Sequence, residues 1–271
     1  MSGLDAPSIQ GRPTLEAYNE LQLAYDHYNA ALFDGQLPQC LITMQRQANC
    51  MGYFSRKRFV RSDGQTTDEI ALNPEMLASN PITETLQTLV HEMVHLWQYH
   101  YGKPGRRGYH NREWGLKMEA IGLMPSSTGK PGGAKTGERM ADYPIIGGPF
   151  LEATRKLLTS DFRISWHDRY PARRAVQMQQ DPETQQMVAA IEMELGAPIQ
   201  SDMDAVKQVQ LAVAQEDPPR PRVSTRSKYR CPGNCKQQLW GKPNLKVICG
   251  LCSQAFDEVP ELGGQESSAP K

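Results

Sequence analysis

The sequence lacks long hydrophobic runs and an excess of charge of either sign. No stretch approaches the roughly 18 consecutive apolar residues of a membrane-spanning helix, and the first twenty residues show no signal-peptide pattern. The 30 lysines and arginines balance 30 aspartates and glutamates, and 39% of the residues are hydrophobic. This composition excludes a chain that is disordered throughout. We therefore predict a globular cytoplasmic protein that does not enter a membrane.

Cysteine is scarce, and its distribution argues against a disulfide framework. Four of the six cysteines lie near the C-terminal end, in the patterns CPGNC and CGLC, which is the spacing of a four-thiolate zinc site. A site filled by four protein ligands supplies folding free energy rather than catalysis. Cys40 and Cys50 are predicted to be reduced thiols. The predicted ligands of this structural zinc are Cys231, Cys235, Cys249 and Cys252.

Apolar residues at helical spacing predict helices over residues 14–33, 82–101 and 111–121. Strands are predicted within 40–59 and 69–73, which gives an α+β core. Beyond Met124 the sequence PSSTGKPGGAKTG predicts a flexible stretch, and further helices are predicted from Pro182 and after Ser201. The predicted organisation is a core over 1–124, a flexible and helical middle region over 125–218, a basic linker and zinc ribbon over 219–260, and a disordered tail over 261–271.

The second predicted helix contains the pattern HExxH, which is His91-Glu92-Met93-Val94-His95. Two histidines four residues apart lie on one helical face, where both can bind one zinc ion, and Glu92 projects beside them. Zinc lowers the pKa of a bound water to about 7, and a neighbouring carboxylate can take its proton. The alternative is a chance meeting of these residues on an amphipathic helix. The pattern nevertheless predicts a catalytic zinc site with Glu92 as the general base.

A catalytic zinc site usually has three protein ligands, so a third must come from elsewhere in the chain. The arrangement HExxHxxGxxH is absent after His95. Glu113, on the following predicted helix, is one candidate. His110, at the end of a glycine-containing loop, is the candidate that we prefer, because such a loop can fold a ligand back onto the metal.

The segment HEMVHLWQYHYGKPGRRGYHNREWGLKMEAIGL resembles the active-site region of the SprT-like zinc metalloproteases, the group that includes Spartan. The resemblance covers roughly residues 14–124 and extends to the C-terminal cysteines. It implies a zincin-like metalloprotease core in which His91, His95 and His110 bind zinc and Glu92 acts as the base. It also implies substrates that are bound or crosslinked to DNA, in a DNA repair or stress-response role.

Basic residues form clusters despite the neutral total. Every charged residue from Pro218 to Phe256 is basic, a second cluster lies in a predicted hairpin, and a third precedes His110. Clusters of one sign attract polyanions, and tryptophan can stack on unpaired bases. The alternative is a solvated basic linker with Trp240 packed on the zinc module. The predicted contacts to DNA, single-stranded or at junctions, are Arg56, Lys57, Arg58, Arg106, Arg107, Arg226, Lys228, Arg230, Trp240 and Lys242.

Two functions from different classes remain open at this point. The first is a zinc-dependent metalloendopeptidase with one catalytic and one structural zinc ion, which acts on DNA-associated proteins and could associate with the nucleoid. The second is a nucleic-acid-binding zinc protein whose HExxH site is structural or inactive. Glu92 favours the first, because a purely structural site has no use for a base at that position.

Overall fold

The computed structural model describes residues 11–48, 50–77, 80–160, 162–168, 182–196 and 226–259. The chain divides into two compact units, Met1–Pro218 and Pro219–Lys271. The helix predicted after Ser201, most of the basic linker and the tail predicted over 261–271 lie outside the described residues. None of the helices in the described ranges has the length and apolar character that crossing a membrane requires.

The first unit contains helices and strands in alternation, so its mixed α and β character is as predicted. Helices α1, α3 and α4 correspond to the three helices predicted in the first half of the chain. The elements are α1 (Pro13–Leu32), β1 (Leu41–Met44), β2 (Gly52–Val60), β3 (Thr66–Leu72), α2 (Pro74–Leu77), α3 (Ile82–Tyr101), α4 (Arg112–Ala120), β4 (Leu123–Ser126), β5 (Ala141–Pro144), α5 (Pro149–Leu158) and α6 (Pro182–Leu195).

Strands β1, β2 and β3 form a sheet with the order β1-β3-β2. Strand β1 is parallel to β3, and β2 is antiparallel to it, with Phe54 opposite Ile70. Ile70 and Leu72 are buried because alternate residues of β3 point into the core. Helix α3 contributes the apolar stripe that its periodicity predicts, and this stripe fixes which face of the helix stays available for the histidines. Its buried members are Leu86, Leu89, Val90, Met93 and Val94.

The stretch after Met124, predicted to be flexible, is instead folded. Strands β4 and β5 pair antiparallel, and Pro125 lies opposite Asp142. The Ser126 hydroxyl accepts hydrogen bonds from the backbone amides of Thr128 and Lys130, which orders the first turn of the connection. Gly129 has φ 73°, in the left-handed region that favours glycine, so this glycine forms part of a tight turn. Composition therefore misled the prediction for this segment.

The second unit is a small sheet with the order β7-β6-β8, formed by β6 (Ser227–Arg230), β7 (Gln238–Gly241) and β8 (Asp257–Val259). Tyr229 is fully buried at its centre. The Tyr229 hydroxyl donates to the Lys242 carbonyl oxygen at 2.6 Å and accepts from the Leu245 amide at 2.9 Å. These bonds fix the loop after β7 and leave the four cysteines in the turns around the sheet.

Candidate metal centre

Helix α3 presents His91 and His95 on one face, one turn apart, with their ring centroids separated by 5.2 Å. The opposite face of α3 packs into the core. The helix therefore cannot turn about its axis and carry the two rings away from the site. Glu92 lies next to them and is only 6% exposed. The helix therefore delivers two imidazoles and one buried carboxyl to the same place.

The loop between α3 and α4 brings His110 to the same site. The side chain of Asn111 caps α4 by accepting a hydrogen bond from the Trp114 amide at 3.0 Å. The side-chain amide of Gln98, on α3, donates to Asn111 Oδ1 at 2.7 Å and to Glu113 Oε2 at 2.8 Å. These bonds tie the start of α4 to α3, and His110 is placed immediately before this anchored cap.

The three histidines can each offer one ring nitrogen, and these atoms all lie within 4.8 Å of one another. Nε2 of His95 and Nε2 of His110 are 3.1 Å apart. Two nitrogens at tetrahedral corners about 2.0–2.1 Å from a zinc ion would be separated by about 3.3–3.4 Å. The donor set and its spacing therefore fit zinc, and they leave one corner without a protein ligand.

Trp114 forms the wall behind the three histidines and is fully buried. Its ring centroid lies 4.9 Å from that of His91, 5.4 Å from that of His95 and 4.4 Å from that of His110. One rigid aromatic side chain thus limits the rotation of all three rings. The sequence places Trp114 on a helical stripe but does not show that it touches the histidines.

Two further residues form hydrogen bonds with the outer ring nitrogens, which are the Nδ1 atoms of His110 and His91. Sequence reasoning missed both residues. Nδ1 of His110 donates to the Gly137 carbonyl oxygen at 3.1 Å, and Nδ1 of His91 donates to Asp142 Oδ2 at 2.7 Å. A proton on Nδ1 leaves Nε2 as the free acceptor in each ring. Neither Gly137 nor Asp142 stands in any motif, so no spacing in the sequence could have identified them.

Burial and mutual proximity set the protonation of the cluster. Burial, together with the neighbouring His91, lowers the pKa of His95 well below its usual value and that of His110 to about 4. Both rings are therefore neutral, as metal ligands must be. Burial raises the pKa of Glu92 to about 7, against the opposing effect of His91. A carboxyl group with this pKa can take up and release a proton near neutral pH.

Glu113, the alternative third ligand, is already engaged elsewhere. Its Oε2 accepts hydrogen bonds from Gln98 at 2.8 Å and from the Lys103 amide at 2.6 Å. A carboxylate used in this way stabilises the loop. The arrangement therefore favours His110 over Glu113 as the third ligand.

Replacement of His110 by alanine is expected to remove one zinc ion per chain, because two imidazoles hold zinc far more weakly than three. Glu113→Gln is the matched control and should keep the zinc content of the wild type. Zinc per chain is measured by elemental analysis after gel filtration. Equal zinc content in His110→Ala and wild type, or loss of zinc in Glu113→Gln alone, would show that the third ligand is misassigned.

The four C-terminal cysteines also converge. Their sulfurs lie within 4.8 Å of one another, with 3.2 Å between Cys231 and Cys252 and 3.5 Å between Cys235 and Cys249. Sulfurs about 2.3 Å from a tetrahedral zinc ion would be about 3.8 Å apart, whereas a disulfide requires about 2.05 Å. The Leu251 amide lowers the pKa of Cys249 to about 7. The cluster fits a four-thiolate metal site, and all six cysteines are free thiols.

The comparisons with known proteins agree with this geometry. A model of the SprT-like family matches residues 21–131, the range that holds His91, Glu92, His95 and His110. The chain is also 58% identical over 59 residues to an uncharacterised protein in the mucB 3′ region of Salmonella typhimurium. That alignment spans 21% of this chain and 80% of the Salmonella protein. The chain belongs to the SprT-like family. No solved structure matches it.

The SprT-like match ends at residue 131, before several residues that complete the site. Gly137 and Asp142, which hold the outer nitrogens of His110 and His91, lie beyond it. The four cysteines lie beyond it as well. The family match therefore covers the histidines and Glu92 but not the residues that contact their outer nitrogens.

The residues predicted to contact DNA in the first unit lie on an exposed part of β2 and on an exposed loop. Arg56, Lys57 and Arg58 occupy the irregular, exposed part of β2. Arg106 and Arg107 lie in the loop that leads to His110, where Arg106 pairs with Glu138 at 2.6 Å. Each group is accessible to a polyanion, but the contacts with DNA stay a prediction.

In the second unit, one face of the sheet combines the predicted aromatic and basic residues. Lys228 lies opposite Trp240 in the strand register, and its Nζ is 5.4 Å from the centroid of the Trp240 ring. Arg230 follows two residues after Lys228, so its side chain projects from the same face. Trp240 is 62% exposed, so most of its ring surface is accessible rather than packed on the zinc module. Arg226 and Lys242 are also exposed.

Proposed function

We propose that this SprT-like protein is a zinc-dependent metalloendopeptidase with a zincin-like core, acting on proteins that are bound or crosslinked to DNA. The observation that carries the proposal is the convergence of His91, His95 and His110 beside the buried carboxyl group of Glu92. Three nitrogen ligands with a free corner are typical of catalytic zinc sites, whereas structural sites are filled by four protein ligands. Of the two candidate metal sites, the cysteine cluster is the one with four protein ligands.

The residues of the chain divide the work of peptide hydrolysis. His91, His95 and His110 would hold the zinc ion, which supplies Lewis-acid chemistry for a carbonyl group and acidifies a water molecule. Glu92 accepts the proton of the attacking water and returns it to the leaving amine. Trp114 and Gly137 keep the imidazoles in place, so that little reorganisation is needed during the reaction.

The DNA-associated substrate class is supported by the sheet face of the second unit. An exposed tryptophan flanked by lysine and arginine combines stacking with attraction to phosphates, as single-strand-binding surfaces do. A DNA repair or stress-response role and a cytoplasmic, nucleoid-associated location follow from this substrate class as parts of the proposal. The competing function, a nucleic-acid-binding protein without hydrolytic activity, would use the same face.

Binding to single-stranded DNA is expected to weaken steeply as salt rises, because bound phosphates release counterions. Trp240→Ala should cost about 1–3 kcal/mol of binding free energy, the usual effect of losing one stacked base. The control is Trp166→Ala, an exposed tryptophan of the first unit whose indole N–H donates to Glu16. Fluorescence anisotropy with a labelled oligonucleotide measures both. If the affinity for the oligonucleotide changed neither with salt nor in Trp240→Ala, the proposed DNA contact would be contradicted.

The protease activity is tested with a DNA-binding protein as substrate, incubated with the zinc-loaded enzyme with and without single-stranded DNA and analysed on a gel. Fragments that appear with the wild type support the proposed reaction. Fragments that also require DNA support the proposed substrate class. DNA binding without cleavage of any DNA-bound protein would favour the competing function.

A further inference from the structure

We propose that Asp142 is a positioning residue of the histidine centre, whose carboxylate fixes His91 with Nε2 directed at the metal. The inference rests on the proposed function, because a metal ion at His91, His95 and His110 is what gives Asp142 this role. It concerns a residue of β5, outside the range that the SprT-like family model matches.

The contact between Asp142 and His91 is short and shielded from water. Oδ2 of Asp142 lies 2.7 Å from Nδ1 of His91, and the two side chains are 5% and 12% exposed. A carboxylate oxygen can only accept in this bond, so Nδ1 of His91 carries a proton and Nε2 is the nitrogen left to bind a metal ion. Carboxylates in this place orient metal-binding imidazoles and make them more basic ligands.

The main chain at Asp142 is anchored independently of its carboxylate. The Gln87 side chain of α3 donates to the Asp142 carbonyl oxygen at 2.8 Å, one turn before His91. The pairing of Asp142 with Pro125 in β4 adds a second attachment. Substitution of the Asp142 side chain therefore leaves intact the backbone contacts that hold β5 against α3. An effect of the substitution on metal binding can then be distinguished from an effect on folding.

Within the described part of the chain, His91 is the side chain that pairs with the Asp142 carboxylate. Its Oδ1 is buried there without a hydrogen-bond partner, and no described lysine or arginine forms an ion pair with it. A divalent cation held by the three histidines would add positive charge on the far side of the His91 ring.

The partner of His110 provides the contrast. Its Nδ1 donates to the neutral carbonyl oxygen of Gly137, at 3.1 Å. His91 has a charged acceptor at a shorter distance and is therefore the more strongly oriented ring. The Gly137 carbonyl cannot be removed by substitution, whereas the carboxylate of Asp142 can, so Asp142 is the outer contact open to a direct test.

The test measures metal affinity in the full-length protein and does not depend on peptidase activity. Asp142→Asn keeps an acceptor oxygen for His91 but removes the charge, and Asp142→Ala removes both. Asp63→Asn is the matched control, since Asp63 is exposed and pairs with Arg61. Zinc is titrated against a chromophoric chelator. Cobalt substitution then separates the nitrogen-ligated site from the thiolate site by their absorption spectra.

We expect the zinc affinity of the histidine site to fall by about 10- to 100-fold in Asp142→Ala and by less in Asp142→Asn. The cobalt bands of the histidine site should shift in both variants, while the cysteine site and the control stay at wild-type values. Wild-type affinity and spectra in both variants would overturn the assignment and leave the proposed function standing. If Asp142→Ala fails to fold, the isosteric Asp142→Asn variant decides alone. A wild-type protein without metal at the histidines would refute both proposals.

Discussion

Glu92→Gln is expected to slow cleavage by orders of magnitude while leaving the zinc content of the protein at the wild-type value. The carboxylate is the buried base beside the three histidines, and glutamine has the same shape but cannot accept the proton of the attacking water. General acid–base catalysis contributes about 10²- to 10⁴-fold to a reaction rate, so a loss of this size is expected. The rate is measured with a DNA-binding protein as substrate under single-turnover conditions.

The control for this variant is Glu152→Gln, which makes the same chemical change on the surface of α5. Glu152 is exposed and pairs with Lys156, four residues further along the helix, an interaction of little energetic consequence. It should cleave at the wild-type rate. Cleavage by Glu92→Gln within a few-fold of this control would remove Glu92 from the mechanism. Loss of zinc from Glu92→Gln would instead show that the carboxyl group is needed for the metal site.

Removal of the ribbon metal is expected to unfold the second unit and to leave the first unit folded. Domains below about 40 residues usually need disulfides, metals or association, and the described part of the second unit covers only residues 226–259. Apparent zinc-binding free energies of small four-ligand sites are about 10–16 kcal/mol, more than the rest of such a unit can supply. Cys249→Ser should therefore lose amide exchange protection over 226–259, as read by mass spectrometry, and keep it in α3.

Cys50→Ser provides the matched control for that experiment. The Cys50 thiol donates to the Gly52 carbonyl oxygen, a bond that a serine hydroxyl can replace. Protection over 226–259 should stay at the wild-type level in this variant. Persistent protection in Cys249→Ser would mean that the buried Tyr229 and its hydrogen bonds, rather than the metal, hold the unit together. Loss of protection in α3 as well would indicate that the two units do not fold independently.

Regular patterns in the sequence were reliable guides to the first unit. The apolar spacing of α3 predicted both its extent and its buried stripe, because a packed helix must repeat with its own period. The same period places His91 and His95 on one face. Prediction was poorest where turns dominate, since the glycines and serines after Met124 suggested flexibility and instead form the ordered connection of β4 and β5.

The choice of the third histidine needed the structure. Local sequence offered His110 and Glu113, and both follow the same loop. The choice between them depends on Gln98, which holds Glu113 and Asn111 from α3 and so turns His110 toward the other imidazoles. A contact between residues so far apart in the chain leaves no local pattern.

The sequence by itself determined the chemistry that is available here: two histidines and a glutamate on one helical face, and four cysteines spaced for a closed metal site. Both depend on short-range spacing, which secondary structure converts directly into geometry. Only the tertiary structure decided how the histidine centre is completed and oriented. Trp114, Gly137 and Asp142 reach it from α4, the β4–β5 connection and β5, because the folded core brings these separate elements together.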